Sequence, residues 1–337
     1  MAATIAEIDA ASDEPTLRAG IDGAHDAVRG ELAAHTPAEA LAAGWSEVLR
    51  HGLAAAVRLT PETGWTWFVS GSVARGEAAP GSDIETMVVL DDAVDEDGKS
   101  SLLARAAEVH ALLERCGLRG DANGVLGSRP RFCRRMGSWT QGIEQWTTHP
   151  EHDRGVVMTG LLADSAGLPG VRRLPDDALR APVIAAAAAT YPARQALLQD
   201  ATALRAGFPS RLRMFTTGGD TVDLKRAAVD PVVKIARWAA VSASSTELST
   251  LKRLDAAAGA DILDADDVSA LRDCFVWLLR FRWRYRAGPW LRDERVGDVV
   301  ALSDIAPHER AVLRSVAREV AGISRKLTYL ASVQSFR

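Results

Sequence analysis

Asp83 and Glu85 stand two residues apart in "SDIETMVVL", at the head of an apolar, β-branched run. On a strand, residues i and i+2 share a face, so the two carboxylates point the same way, about 7 Å apart along the backbone. Converging carboxylates hold divalent metals, and an oxygen-only donor set favours Mg²⁺ or Mn²⁺ over zinc. Ten residues separate Asp83 from Ser72, the second member of a Gly71-Ser72 pair. Gly71 lets backbone pass close to a ligand, while Ser72 offers a hydroxyl and an N–H, a combination that cradles phosphates. Arg75 adds a planar fork for phosphate oxygens. A phosphate grip beside paired metal carboxylates is the equipment of two-metal phosphoryl or nucleotidyl transfer. Taken singly, Gly, Ser and Asp are common turn residues; their joint order carries the reading.

The elements that must position these groups follow from periodicity. Leu17, Ile21, Ala24, Val28 and Leu32 recur at helical spacing. "TPAE" then places Thr36 as N-cap, Pro37 in the first turn and Glu39 closing a capping box. Leu41, Trp45 and Val48 continue this second helix until "TPETG" (60–64) breaks it. "WTWFVS" from Trp65 reads as a strand, as does "DIETMVVL" (83–90), which the acidic turn "DDAVDEDG" ends. A helix follows over about 99–116, and then "GLRGDANGVLG", turn-rich with a small apolar tail that offers a third strand. Beyond residue 135 the pattern is helical. Trp139 and Trp146 lie seven apart, an Ala-rich segment runs over about 176–206, and "GFPSR" and "TTGGDT" are breakers. Further helices fill roughly 230–258, 265–287 and 306–332. The organisation expected is a helical segment over 1–60, an α+β domain over 61–172 and a helical bundle over 173–337.

Bulk properties exclude several classes. The 337 residues suit two domains, and 47% hydrophobic with 25% charged residues is an ordinary globular balance. A formal net charge of -4 argues against a dedicated nucleic-acid binder. Cys116, Cys133 and Cys274 are scattered, with no CxxC pair, which implies neither a disulfide framework nor a zinc site. The first twenty residues lack the apolar core of a secretory signal, and no apolar run approaches the ~18 residues of a membrane span. A cytoplasmic location without membrane contact is the expectation.

"GSVARGEAAPGSDIE" resembles the signature of DNA polymerase beta-type nucleotidyltransferases, in which Gly-Ser precedes an Asp-x-Asp/Glu pair. It looks most like the branch that contains the bacterial protein-PII uridylyltransferase and glutamine synthetase adenylyltransferase. "ANGVLGSRPRF", "SWTQGIEQW", "LLADSAGLPG", "TVDLKRAAVDPVVKIARWAA" and "STLKRLDAAAGADILDADDVSALRDCFVWLLRFR" follow in this order. Together they are similar to a family of such nucleotidyltransferases with a helical, substrate-binding-type C-terminal domain. The resemblance spans roughly residues 15 to 330. It implies an α+β polymerase beta-type domain followed by a helical bundle, with Asp83 and Glu85 binding the metals and Gly71 and Ser72 the phosphates. It implies NMP transfer from an NTP to a hydroxyl of a protein or small-molecule acceptor. Glu85 departs from the Asp more often found there, and its longer side chain bears on metal geometry. Such sites usually add a third acid from a neighbouring strand. In this chain the acid should follow the helix ending near Cys116, where Asp121 is the only carboxylate; "GDANG" is also good turn chemistry. The competing expectation is a catalytically inactive nucleotide-sensing or interaction module on the same fold.

Three further stretches carry candidates. In "TVDLKR" (221–226), Asp223 and Lys225 face the cleft on one reading, with Lys225 meeting the triphosphate. On the other, Asp223 caps a helix and Lys225 is solvated. "RFRWRYR" (280–286) tempts a nucleic-acid patch, but Leu271, Cys274, Phe275, Leu278, Arg282 and Tyr285 fall at helical spacing, which predicts a helix with an aromatic packing face and snorkelling arginines. "THPEHD" (148–153) holds His149 and His152 but matches no zinc spacing, and neither a P-loop nor a dinucleotide glycine motif occurs.

Overall fold

The computed structural model describes residues 1–171, 173–203 and 221–334. The expected breaker "GFPSR", most of "TTGGDT" and the end of the Ala-rich segment lie outside the described residues. Three helices open the chain: α1 (Ala2–Asp9), α2 (Glu14–Ala33) and α3 (Ala38–Leu59). The break between α1 and α2 is set by a capping box in which Asp13 and Thr16 satisfy each other's backbone N–H. The box expected at Thr36 and Glu39 does not form. Pro37 takes the N-cap position of α3, and the Thr36 hydroxyl instead donates to Glu31 at 2.5 Å.

Strands β1 (Trp65–Ser70) and β2 (Glu85–Leu90) pair antiparallel, joined through the one-turn helix α4 (Gly71–Ala74). After α5 (Glu96–Arg115), β3 (Cys133–Arg135) adds parallel to β2, and β4 (Ala166–Gly167) closes the other edge, giving the order β3-β2-β1-β4. The tail of "GLRGDANGVLG" is not the third strand. Its glycines turn the chain, Gly124 with φ +86, and leave a single parallel bridge between Gly120 and Ile84. Cys133–Arg135, which carries two arginines and so reads poorly as a strand, takes that place.

Period two on β1 and β2 sorts two cores. Trp67, Val69, Val88 and Leu90 join a large apolar cluster with the N-terminal helices and the C-terminal half of the chain. Phe68, Met87 and Val89 face a second cluster containing α6 (Met136–Thr148), α7 (Gly155–Ala163), α8 (Arg180–Ala189) and α9 (Tyr191–Ala203). Trp139 and Trp146, seven apart on α6, are buried in it with ring centroids 6.3 Å apart. The rest is mostly helical: α10 (Asp230–Ser242), α11 (Thr250–Gly259), α12 (Ala265–Trp290) and α13 (Pro307–Gln334). The helix expected over 230–258 is thus two, with Ser249 capping the second. A two-stranded ribbon pairs β5 (Thr221–Asp223) with β6 (Val299–Ala301), and a π-helical turn (Lys225–Val229) leads into α10. The architecture is an α+β domain with a small mixed sheet, followed by helices. Among the described residues no helix is long and apolar enough to cross a membrane.

Candidate active site

The pairing of β1 with β2 explains the spacing of the opening motif. Ser70 lies opposite Glu85, so the chain leaving β1 turns directly over the carboxylate. Gly71 has φ +66, and a Cβ there would sit 2.5 Å from Glu85 Oε2, so glycine is required on both counts. Glu85 Oε2 is buried without a hydrogen-bond partner. Burial pushes the Glu85 carboxyl above its ordinary range; Lys225 opposes the shift and Asp121 adds to it. Burial also raises Asp83, helped by the neighbouring charge of Asp121.

Asp121 reaches these two because residues 119–121 run beside Ile84. Ile84 N donates to Arg119 O at 2.9 Å, and Asp121 N to Ile84 O at 3.1 Å. The Asp121 side chain is 6% exposed and accepts from Val125 N at 2.8 Å and Asn123 Nδ2 at 3.1 Å. It therefore closes its own loop while lining the same space as Asp83 and Glu85.

That space is a cavity of about 580 Å³, and Gly71, Ser72, Arg75, Asp83, Glu85, Asp121 and Lys225 all line it. Lys225 comes from the π-helical turn, a feature frequent at functional sites. Asp223 does cap this turn, accepting from Arg226 N at 3.0 Å. Among the described residues no three His, Cys, Asp or Glu side chains are grouped so as to hold a metal ion by themselves. A hard divalent cation nevertheless fits the donors present: they are carboxylate oxygens, and the buried, unpartnered Oε2 of Glu85 is an acceptor awaiting a positive charge.

Arg75 occupies a different setting from an open phosphate fork. Its guanidinium is 9% exposed; Nε donates to Glu77 Oε2 at 2.7 Å and Nη1 pairs with Asp164. Asp164, 2% exposed at the end of α7, also receives Arg237 Nε at 2.9 Å from α10 and Arg253 Nη1 at 2.7 Å from α11. Glu77 Oε1 accepts from Thr250 N at 2.5 Å. The residues after the Gly-Ser turn are thus clasped to the helical half.

The sequence pattern marks few of the charges gathered around Arg75. Asp164 lies in "LLADSAGLPG", where an acid inside an apolar run is the one signal, and nothing local marks Arg237 in "KIARWAA". "RFRWRYR" is helical as expected, within α12, but only part of it snorkels. Arg284 is exposed and pairs with Glu309, whereas Arg282 and Arg286 are buried at the cavity with Asp298. His149 and His152 are exposed, 6.1 Å apart between ring centroids, away from the cavity.

A small mixed sheet, a Gly-Ser turn over an Asp-x-Glu pair and a helical region closing the cavity define a nucleotidyltransferase-type domain with a helical companion. The comparisons agree: residues 23–153 match the family described as "Putative nucleotidyltransferase DUF294", and residues 193–330 match "Putative nucleotidyltransferase substrate binding domain". The chain belongs to this nucleotidyltransferase family. No curated protein matches the sequence.

Proposed function

We propose that the protein transfers an NMP from an NTP to a hydroxyl of a protein or small-molecule acceptor, with Mg²⁺ or Mn²⁺. The observation that carries this is the meeting of Asp83, Glu85 and Asp121 in one cavity, with a buried Glu85 oxygen lacking a partner beneath the Gly71-Ser72 turn. Asp83, Glu85 and Asp121 would hold the metal, which supplies charge neutralisation of the triphosphate and activation of the acceptor oxygen. Ser72, through its hydroxyl and backbone N–H, binds phosphate oxygens where Gly71 lets the backbone approach them. Lys225 reaches the triphosphate from the helical side, and Arg75, anchored on Glu77 and Asp164, sets the phosphate turn against that side. The acceptor docks between the two halves. Its oxygen attacks the α-phosphorus, the bond to pyrophosphate breaks, and Asp121 takes the hydroxyl proton.

A second reading, a nucleotide sensor that binds without transfer, is favoured by one observation: among the described residues no three carboxylates are gathered as a complete metal cage. Incubation with Mg²⁺ or Mn²⁺, each α-labelled NTP and cell extract separates the two. Label on a macromolecule or small molecule, absent with Asp83→Ala, supports transfer. Metal-dependent binding with no label moved by any NTP supports the sensor.

A further inference from the structure

Helix α12 grips the chain just ahead of Asp83. Trp283 Nε1 donates to Ala78 O at 3.2 Å, and one turn later Arg286 Nε donates to Pro80 O at 2.7 Å. Between them and Asp83 lies Gly81, with φ +70. A Cβ on it would run into Val296 and come within 3.4 Å of Arg286 Nη2, so the turn is pressed directly onto this surface. Arg286 Nη1 continues to Asp298 Oδ2 at 2.9 Å, and Asp298 also accepts from Arg282 Nε at 2.6 Å and Nη2 at 2.9 Å. The backbone of Asp298 reaches the other wall: its carbonyl accepts from Leu224 N at 2.8 Å, immediately before Lys225. The next residue, Val299, pairs with Asp223.

Two buried guanidiniums share one carboxylate here, and such a group is a weak source of stability, because desolvation consumes most of the Coulomb gain. A purely structural staple would be served as well by apolar residues. What this arrangement does is geometric. Arg286 spans a carbonyl of the Asp83 turn and the Asp298 carboxylate at once, which a lysine, with one compact ammonium, reproduces poorly.

Resting on the nucleotidyl-transfer reading of the cavity, we propose that Arg286 and Asp298 are positioning residues. They hold the Asp83 turn and the Lys225 segment in register across the cavity, so that metal-bearing and phosphate-bearing groups meet the nucleotide together. The consequence is specific. Loosening the link weakens the part of nucleotide binding that needs the metal more than the part that does not.

The test uses the full chain as wild type, Arg286→Gln, Arg286→Lys and Asp298→Asn, each checked for folding by thermal melting. ATP is titrated by calorimetry with Mg²⁺ and with chelator, and amide hydrogen exchange is followed over 78–84 and 222–226. Metal-dependent affinity is expected to fall at least tenfold in Arg286→Gln and Asp298→Asn and less in Arg286→Lys. Affinity in chelator should fall by a clearly smaller factor than affinity with Mg²⁺, and exchange should accelerate at both segments together. Should Arg286→Gln not fold, the other two variants carry the same comparison. Wild-type metal-dependent affinity in folded Asp298→Asn and Arg286→Lys overturns the proposal. If the wild type itself shows no metal-dependent binding, the nucleotidyl-transfer reading fails. The positioning role is then decided by exchange: joint acceleration upholds it, and acceleration at one segment alone or at neither overturns it.

Discussion

Asp164→Asn replaces the one carboxylate on which Arg75, Arg237 and Arg253 converge, keeping its shape. With it gone, three guanidiniums of at most 14% exposure lose their shared ion-pair partner, and Arg75 keeps its second pair, to Glu77. Removing one partner from a buried ion pair costs about 3–5 kcal/mol, because the remaining charges stay desolvated. At about 2.1 cal/mol/K per residue, a chain this long unfolding as one unit loses roughly 4–7 °C of Tm. Burial alone would raise the Asp164 carboxyl, but Arg237, Arg253 and Arg75 override it and hold it well below the usual range. A depressed folded-state pKa gives stability that is fully present above the unfolded value near 3.9 and is lost as pH falls below it. The Tm gap between wild type and Asp164→Asn should therefore be constant from pH 7 to about 5 and narrow below 4. Melts by circular dichroism across that range measure it. Adding Arg253→Met to Asp164→Asn should recover part of the loss, since it removes one stranded charge. A gap under 1 °C at pH 7, or no recovery in the double variant, would refute the account of Asp164 as a charge hub.

The remaining expectations concern the cavity. Asp83→Ala and Glu85→Ala should each remove most of the metal-dependent part of ATP and UTP binding in calorimetry; unchanged affinity in both variants would sink the metal assignment. Gly71→Ala, which forces a Cβ to 2.5 Å from Glu85 Oε2 at a positive φ, should do the same while costing about 1 kcal/mol or more in urea unfolding. Because burial raises the Glu85 carboxyl, its ionised form is a strain at neutral pH without metal. Glu85→Gln should then raise the metal-free Tm at pH 7, with the difference shrinking as pH falls and Glu85 itself protonates. Replacing Arg282 and Arg284 should produce no change in binding to single-stranded RNA or DNA, which a salt-dependent gel-shift titration would measure as absent in the wild type too.

How far the sequence could be read depended on whether each residue's partner was near it in the chain. Gly71, Ser72, Asp83 and Glu85 sit on one hairpin-like unit, and strand periodicity with a glycine turn is enough to bring them to one cavity. Asp121 was reachable by a weaker route, as the only acid between α5 and β3, and its backbone N–H donates to Ile84 O. Arg75 shows the opposite case. Its type and place suggested phosphate, yet its partners, Glu77 and Asp164, are two and 89 residues away, and only the second explains why the guanidinium is buried. Thr36 failed for a similar reason, since a side chain outside the local motif, Glu31, captured its hydroxyl.

The same logic accounts for "RFRWRYR". Helical spacing identified α12, but one helix face can meet either solvent or a second domain, and periodicity is blind to which. Arg284 and Arg282 are two residues apart and so lie on different faces. The first pairs at the surface with Glu309; the second meets Asp298, 16 residues on, in the wall of the cavity. Asp298 is itself placed by the ribbon of β5 and β6, whose strands are about 80 residues apart in sequence. The charges that complete the cavity are therefore fixed by non-local pairing. Asp83 and Glu85 are written in one short motif, whereas Lys225, Arg282 and Arg286 reach the cavity only from the helical region.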